Sequence, residues 1–160
     1  MINKKDVMTE FGINLKAALD SRNISELEFA KRLGLQSHNI YEYEQGQSDP
    51  KMHRVATIAN KLGLTVGELL TGKENTDTHE GEVLPVDEFN DDLIKRLNIV
   101  MKLSKINTRQ LSGNIGVNVG TISNILTGKR QPRLSSVVLI VKGLGANIEQ
   151  VIPDLAKRVC

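Results

Sequence analysis

A chain of 160 residues with three Phe, two Tyr and no Trp has room for one domain or two small ones, and its core has to be built from Leu, Ile, Val and Ala. That composition favours small helical domains over a large β-sandwich, and the single cysteine, Cys160, excludes an internal disulfide. The longest apolar run, residues 137–141, is far short of the roughly 20 needed to span a bilayer, and the first residues lack the apolar stretch of a signal peptide, so a cytoplasmic chain is expected.

Taken in chain order, residues 9–22 place Ile13, Leu15, Ala18 and Leu19 on one stripe, the spacing of an amphipathic helix. Ser25 followed by Glu28 is a capping-box pattern that opens a second helix carrying Leu27, Phe29, Ala30 and Leu33, and Gly34 stops it. A third helix over 37–45 turns Ile40 and Tyr43 inward and ends at Gly46. Pro50 then breaks the chain. A fourth helix buries Val55, Ile58, Ala59 and Leu62, and a short final turn buries Val66, Leu69 and Leu70.

Residues 73–88, KENTDTHEGEVLPVDE, are polar and acidic, carry the breakers Gly81 and Pro85, and show no helical period. They read as a linker with an r.m.s. span of roughly 20–24 Å if flexible. Val83, Leu84 and Val86 give an alternative, docking on a domain surface. Beyond them, helices are expected over 93–104, 108–115, 119–127, 134–144 and 148–157, with Asn107 capping the second and Gln110 in the capping-box position. No alternating strand pattern of useful length occurs.

The two stretches are copies of one plan. Sliding the chain by 82 positions aligns residues 15–70 with 97–152 without a gap and makes ten positions identical, from Leu15/Leu97 through Gly34/Gly116, Ile40/Ile122 and Pro50/Pro132 to Gly63/Gly145. Every identical position is apolar, Gly or Pro, the types that set core faces and turns, while the exteriors differ. The expected organisation is all-α: an N-terminal domain at 1–72, an acidic linker at 73–88 and a C-terminal domain at 89–160. Charge follows the same division. Residues 1–75 carry ten basic and ten acidic side chains, residues 76–92 seven acidic and no basic, and residues 93–160 eleven basic and two acidic. The last part therefore suits a polyanionic partner.

The stretch SELEFAKRLGLQSHNIYEYEQGQSDP, residues 25–50, resembles the helix-turn-helix core of the phage repressor and Cro family, the Xre family, and residues 107–132, NTRQLSGNIGVNVGTISNILTGKRQP, resemble it in the same register. The resemblance covers about residues 9–71 and 90–158. It implies two five-helix, lambda-repressor-like domains and a transcriptional regulator of phage or mobile-element type that binds double-stranded DNA. Both copies depart from the family pattern. Its usual Gln at the start of the second helix is Glu26 and Thr108 here, and its Glu at the end of the third is present as Glu44 but replaced by Leu126.

In this motif the third helix enters the major groove and presents its N-terminal side chains to base edges. The resemblance thus assigns base reading to Gln36, Ser37, His38, Asn39, Tyr41 and Glu42 in the first copy. In the second it assigns Asn118, Val119, Gly120, Thr121, Ser123 and Asn124. Asn and Gln pair with adenine, Glu accepts from cytosine, and Thr or Val methyls meet the thymine methyl. Gly120 either lets the backbone approach closely or fills space. Phosphate contacts are expected from Gln45, Gln47, Ser48 and Lys51 in the first copy and from Thr108, Thr127, Lys129, Arg130 and Arg133 in the second. The second copy is expected to bind more strongly, because the first is neutral and carries Glu42 and Glu44.

His38 is read as a base contact, whereas His53 and His79 read as surface residues. No metal spacing, phosphate loop or nucleophile elbow occurs, so neither enzyme nor cofactor is expected. Besides duplex DNA and a nucleoid location, two partner readings stay open: a homodimer, and an antitoxin-like arrangement in which the first copy binds a protein while only the second holds DNA. An architectural DNA-binding protein with little sequence preference is a further alternative.

Overall fold

The structure, a computed structural model, describes residues 2–73, 82–83, 85–151 and 156–157. The expectations for Cys160, His79, residues 74–81 of the acidic stretch, Leu84 of the docking alternative and residues 152–155 of the last expected helix lie outside them.

Among the described residues the regular elements are helices apart from one two-residue pairing. Helix α1, Lys4–Ser21, starts earlier than the apolar stripe alone indicates, because Asn3 and Asp6 form a capping box: Asp6 N donates to Asn3 Oδ1 at 2.9 Å and Asn3 N to Asp6 Oδ2 at 3.1 Å. Its buried face is Val7, Phe11, Gly12, Leu15, Ala18 and Leu19. Ile13, expected on that stripe, is instead 61% exposed. At about 100° per residue it stands some 200° from both Phe11 and Leu15, so it cannot share their face.

Helix α2, Glu26–Leu33, is capped by Ser25, whose Oγ accepts from Glu28 N, and it ends on Gly34 at φ +70°. It buries Phe29 and Ala30 and leaves Leu27 exposed. Helices α3, Ser37–Glu44, α4, Met52–Lys61, and α5, Val66–Thr71, follow, with Ile40, Tyr43, Val55, Ile58, Ala59, Leu62, Val66, Leu69 and Leu70 all buried as expected.

Strand β1, Glu82–Val83, pairs antiparallel with β2, Ala156–Lys157. Helix α6, Val86–Ser104, begins seven residues ahead of the expected Leu93, taking the last part of the expected linker into the helix. Pro85 precedes it, and Asp87 and Glu88 stand in the first turn, where carboxylates complement the helix dipole. Helices α7, Thr108–Ile115, α8, Val119–Leu126, and α9, Leu134–Gly143, match their expected spans to within a residue. Helix α10, Ile148–Val151, does not continue to 157. Residues 156–157 belong to β2 instead.

From the second helix of each half onward, every helix starts 82 residues after its counterpart: Glu26 and Thr108, Ser37 and Val119, Met52 and Leu134, Val66 and Ile148. The turn after each first helix even shares a left-handed residue, Asn23 at φ +54° and Lys105 at φ +59°.

The halves are packed together. Helix α1 lies on α9, α4 on α6 and α9, and α10 on α5, so the buried apolar side chains of both halves form one core. Where they meet, Met52 N donates to Pro132 O and Leu134 N to Pro50 O, both at 2.9 Å, with Lys51 opposite Arg133. Pro50 and Pro132, Lys51 and Arg133, and Met52 and Leu134 are each 82 positions apart, so this pairing obeys a local two-fold relation. Side-chain contacts across the joint break the symmetry. Ser135 donates to Asp49 through its N (3.0 Å) and its Oγ (2.6 Å), so Asp49 of the first half caps α9 of the second. At the position matching Ser135 stands His53, whose ring meets Phe89 edge-on at 5.4 Å.

Asp49→Ala removes a carboxylate from a helix N-terminus and is expected to cost about 1–2 kcal/mol, a fall in Tm of roughly 3–6 °C by calorimetry. An unchanged Tm would show that the cap adds nothing to the joint.

Candidate nucleic-acid interface

Each half presents a helix, a short turn and a second helix. Gly34 and Gly116, both at φ +70°, close α2 and α7 in the left-handed conformation that admits Gly without strain. The chain then runs through Leu35 and Gln36, or Val117 and Asn118, into α3 or α8. Ile40 and Tyr43 anchor α3 in the core, as Ile122 and Ile125 anchor α8. The opposite face of each helix therefore points outward.

On α3, Gln36 and His38 are exposed and Tyr41 is 49% exposed, while Ser37, Asn39 and Glu42 are half-buried. Asn39 is partly committed, since its Oδ1 accepts from Gln36 N at 3.1 Å. On α8, Asn118, Val119, Gly120 and Ser123 are exposed and Thr121 and Asn124 half-buried. Asn118 Oδ1 accepts from Gly120 N at 2.7 Å, and a Cβ at residue 120 would stand 3.1 Å from that oxygen. Gly120 thus gives room for a tight cap at the start of α8.

Among the expected phosphate contacts, Gln45, Gln47, Lys51, Lys129 and Arg130 are exposed side chains, and Ser48 and Thr108 are half-buried. Thr127 is turned back on its own helix, its Oγ1 donating to Ser123 O at 2.8 Å. Arg133 is exposed but reaches across the joint, its Nη1 donating to Asp49 O at 2.7 Å. Packing of the halves then joins residues that are far apart in sequence. Lys4, Lys51, Arg130 and Arg133 line one open cleft of about 1180 Å³, together with Thr121 and Asp49. Four cations around a surface that also touches α8 suit an anionic backbone. Lys4 and Asp49 carry no local sequence signal for this place; only the contact between halves brings them there.

Glu44 is not on the outer face of α3. It is buried, and its pKa is pushed up to about 7, first by burial and then by a hydrogen bond with Glu26 and that residue's charge; Asp20 adds to the rise and Lys16 opposes it. The pair ties the end of α3 to the start of α2. Because the folded-state pKa lies above the ordinary value of 4.5, the stability this carboxyl contributes is full below about pH 4.5 and lost as pH rises through about 7. Glu44→Gln mimics the protonated form. It is expected to stabilise the fold at pH 8 by about 1–2 kcal/mol, less than the full shift implies because the site keeps some water contact, and to change little at pH 5. Urea unfolding at both values checks this; equal effects would contradict it.

Residues 12–75 match the family model of a helix-turn-helix domain. The matched stretch holds most of α1 and all of α2, the turn, α3, α4 and α5. No curated protein and no solved structure matches the chain. The presence of this domain suggests a DNA-binding regulator. Helices α7 and α8 lie outside the match, and their likeness to α2 and α3 rests on the 82-residue correspondence. Among the described residues no helix is long and apolar enough to cross a membrane.

Proposed function

We propose that the chain is a sequence-specific, double-stranded DNA-binding transcriptional regulator of Xre type, reading bases with α3 and α8. The observation that carries this is an outward-facing helix end with Gln36, His38 and Tyr41 exposed inside a matched helix-turn-helix segment, and a second such helix end, with Asn118, Val119 and Ser123 exposed, at α8 beside the cations Lys129 and Arg130. Base contacts come from the N-terminal outer faces of the two helices and phosphate contacts from Lys51, Lys129, Arg130 and Arg133. Occupying a promoter would exclude polymerase, so repression on the nucleoid is the favoured outcome. No catalytic role is assigned.

The test is selection of bound duplexes from a random pool by the full chain at stated salt. Enrichment of a defined site supports the reading; retention of duplexes without any preference contradicts it and favours an architectural role. The neutral first half motivates the second reading, in which it binds a protein. Gln36→Ala with His38→Ala separates the two. Relaxed preference over part of the selected site supports reading by both halves, and an unchanged site supports the protein-binding role.

A further inference from the structure

The two helix-turn-helix units are joined by more than the acidic stretch. Pro50, Met52, Pro132 and Leu134 are buried where the backbone pairing crosses the joint, and Val7 and Phe11 of α1 line one crevice with Val138 of α9. Parting the halves would break both backbone hydrogen bonds and the Asp49 cap, and would bring these apolar groups into water together. A flexible tether lets two domains choose their separation; this joint does not.

We propose that one chain acts as an internal pseudo-dimer: it binds duplex DNA as a single copy, with α3 and α8 held at a fixed mutual position by the joint at Lys51 and Arg133, on a site whose two halves differ in sequence and keep one spacing. This rests on the DNA-binding reading above. A two-fold relation turns equivalent faces toward the same end of its axis, which is how paired reading heads meet one side of a duplex. The symmetry is confined to the scaffold. The outer residues of α3 and α8, SHNIYEYE against VGTISNIL, share only Ile40/Ile122, a buried position, so the half-sites are not repeats of one another.

The test uses the joint itself. Lys51 and Arg133 form a narrow, non-hydrogen-bonded antiparallel pair, since the flanking residues make both hydrogen bonds. Such pairs have Cα atoms about 4.5 Å apart, within disulfide range. The full chain carrying Lys51→Cys, Arg133→Cys and Cys160→Ser is oxidised, and its binding to the selected duplex is compared with that of the same variant reduced. Both forms lack the same two charges, so only the constraint differs. The proposal expects ready intramolecular crosslinking, affinities of the two forms within about twofold, and one chain per duplex by sedimentation. It also expects at least a tenfold loss when about five base pairs, half a helical turn, are inserted between the half-sites.

Failure to crosslink, a tenfold or greater drop on oxidation, two chains per duplex, or indifference to the insertion would each overturn it while leaving the DNA reading intact. Normal crosslinking with no duplex preferred would instead remove the DNA reading, and this proposal with it.

Discussion

Replacing Lys129 and Arg130 together by Ala is expected to weaken duplex binding roughly tenfold or more at about 0.1 M salt, and to reduce the slope of log affinity against log salt by about two. Both side chains are exposed, just beyond the end of α8, and Arg130 lines the cationic cleft. Their loss should leave Tm within about 1–2 °C, because exposed charges contribute little to folding. Each cation that meets a phosphate releases condensed counterions, so the slope counts contacts independently of their strength. Arg133 is a poorer choice for this test, since its guanidinium also donates to the Asp49 carbonyl across the joint, and its removal would mix lost charge with a loosened interface. An affinity unchanged at every salt concentration would place the DNA surface elsewhere.

Gly12→Ala is expected to destabilise the fold by about 3 kcal/mol, lowering Tm by roughly 6–12 °C. Two effects compete. Ala favours a helix interior over Gly by about 1 kcal/mol. Against that, a Cβ at residue 12 would overlap the backbone carbonyls of Tyr43 and Glu44, and backbone cannot rotate aside as a side chain can. The overlap wins, and α1 must move away from the end of α3. The counterpart position in the second half is Ile94, so α6 cannot approach α8 in the same manner. At Gly143 an added Cβ would overlap the buried Ile115 and Leu111 side chains, and the β-branched Ile115 is stiff at χ1 in a helix, so Gly143→Ala should also destabilise the fold. Equal Tm for Gly12→Ala and wild type would show that α1 and α3 have slack between them.

Much of each half was legible in the sequence because its signals are local. Ser25 and Asn107 open helices by capping, Gly34 and Gly116 close them, and the apolar spacing marks the inner faces of α3, α4, α8 and α9. The structure departs from the local pattern where neighbouring residues override a single signal. Ile13 is apolar but out of phase with Phe11 and Leu15, and the acidic residues 87 and 88, read as linker, are first-turn residues of α6. The joint was illegible for a different reason. Asp49 looks like a turn residue in sequence, and its role as the cap of α9 depends on a partner 86 positions away. The 20–24 Å span estimated for residues 73–88 assumed independent domains. Once α1 packs on α9 and α4 on α6, mutual placement is set by the interface instead. Outer-face residues such as His38 and Ser123 can be placed from the repeat, but which base each meets depends on the DNA as much as on the chain.

The measurement that bears most directly on base reading is a complete single-base-pair substitution profile of the selected duplex, taken with the wild-type chain and with Val119→Ala combined with Ser123→Ala. Both residues are exposed on one face of α8, one helical turn apart. The account predicts that the variant loses about 1–3 kcal/mol of discrimination at a few adjacent base pairs and keeps it elsewhere. A profile weakened evenly at every position, or one identical to wild type, would contradict it.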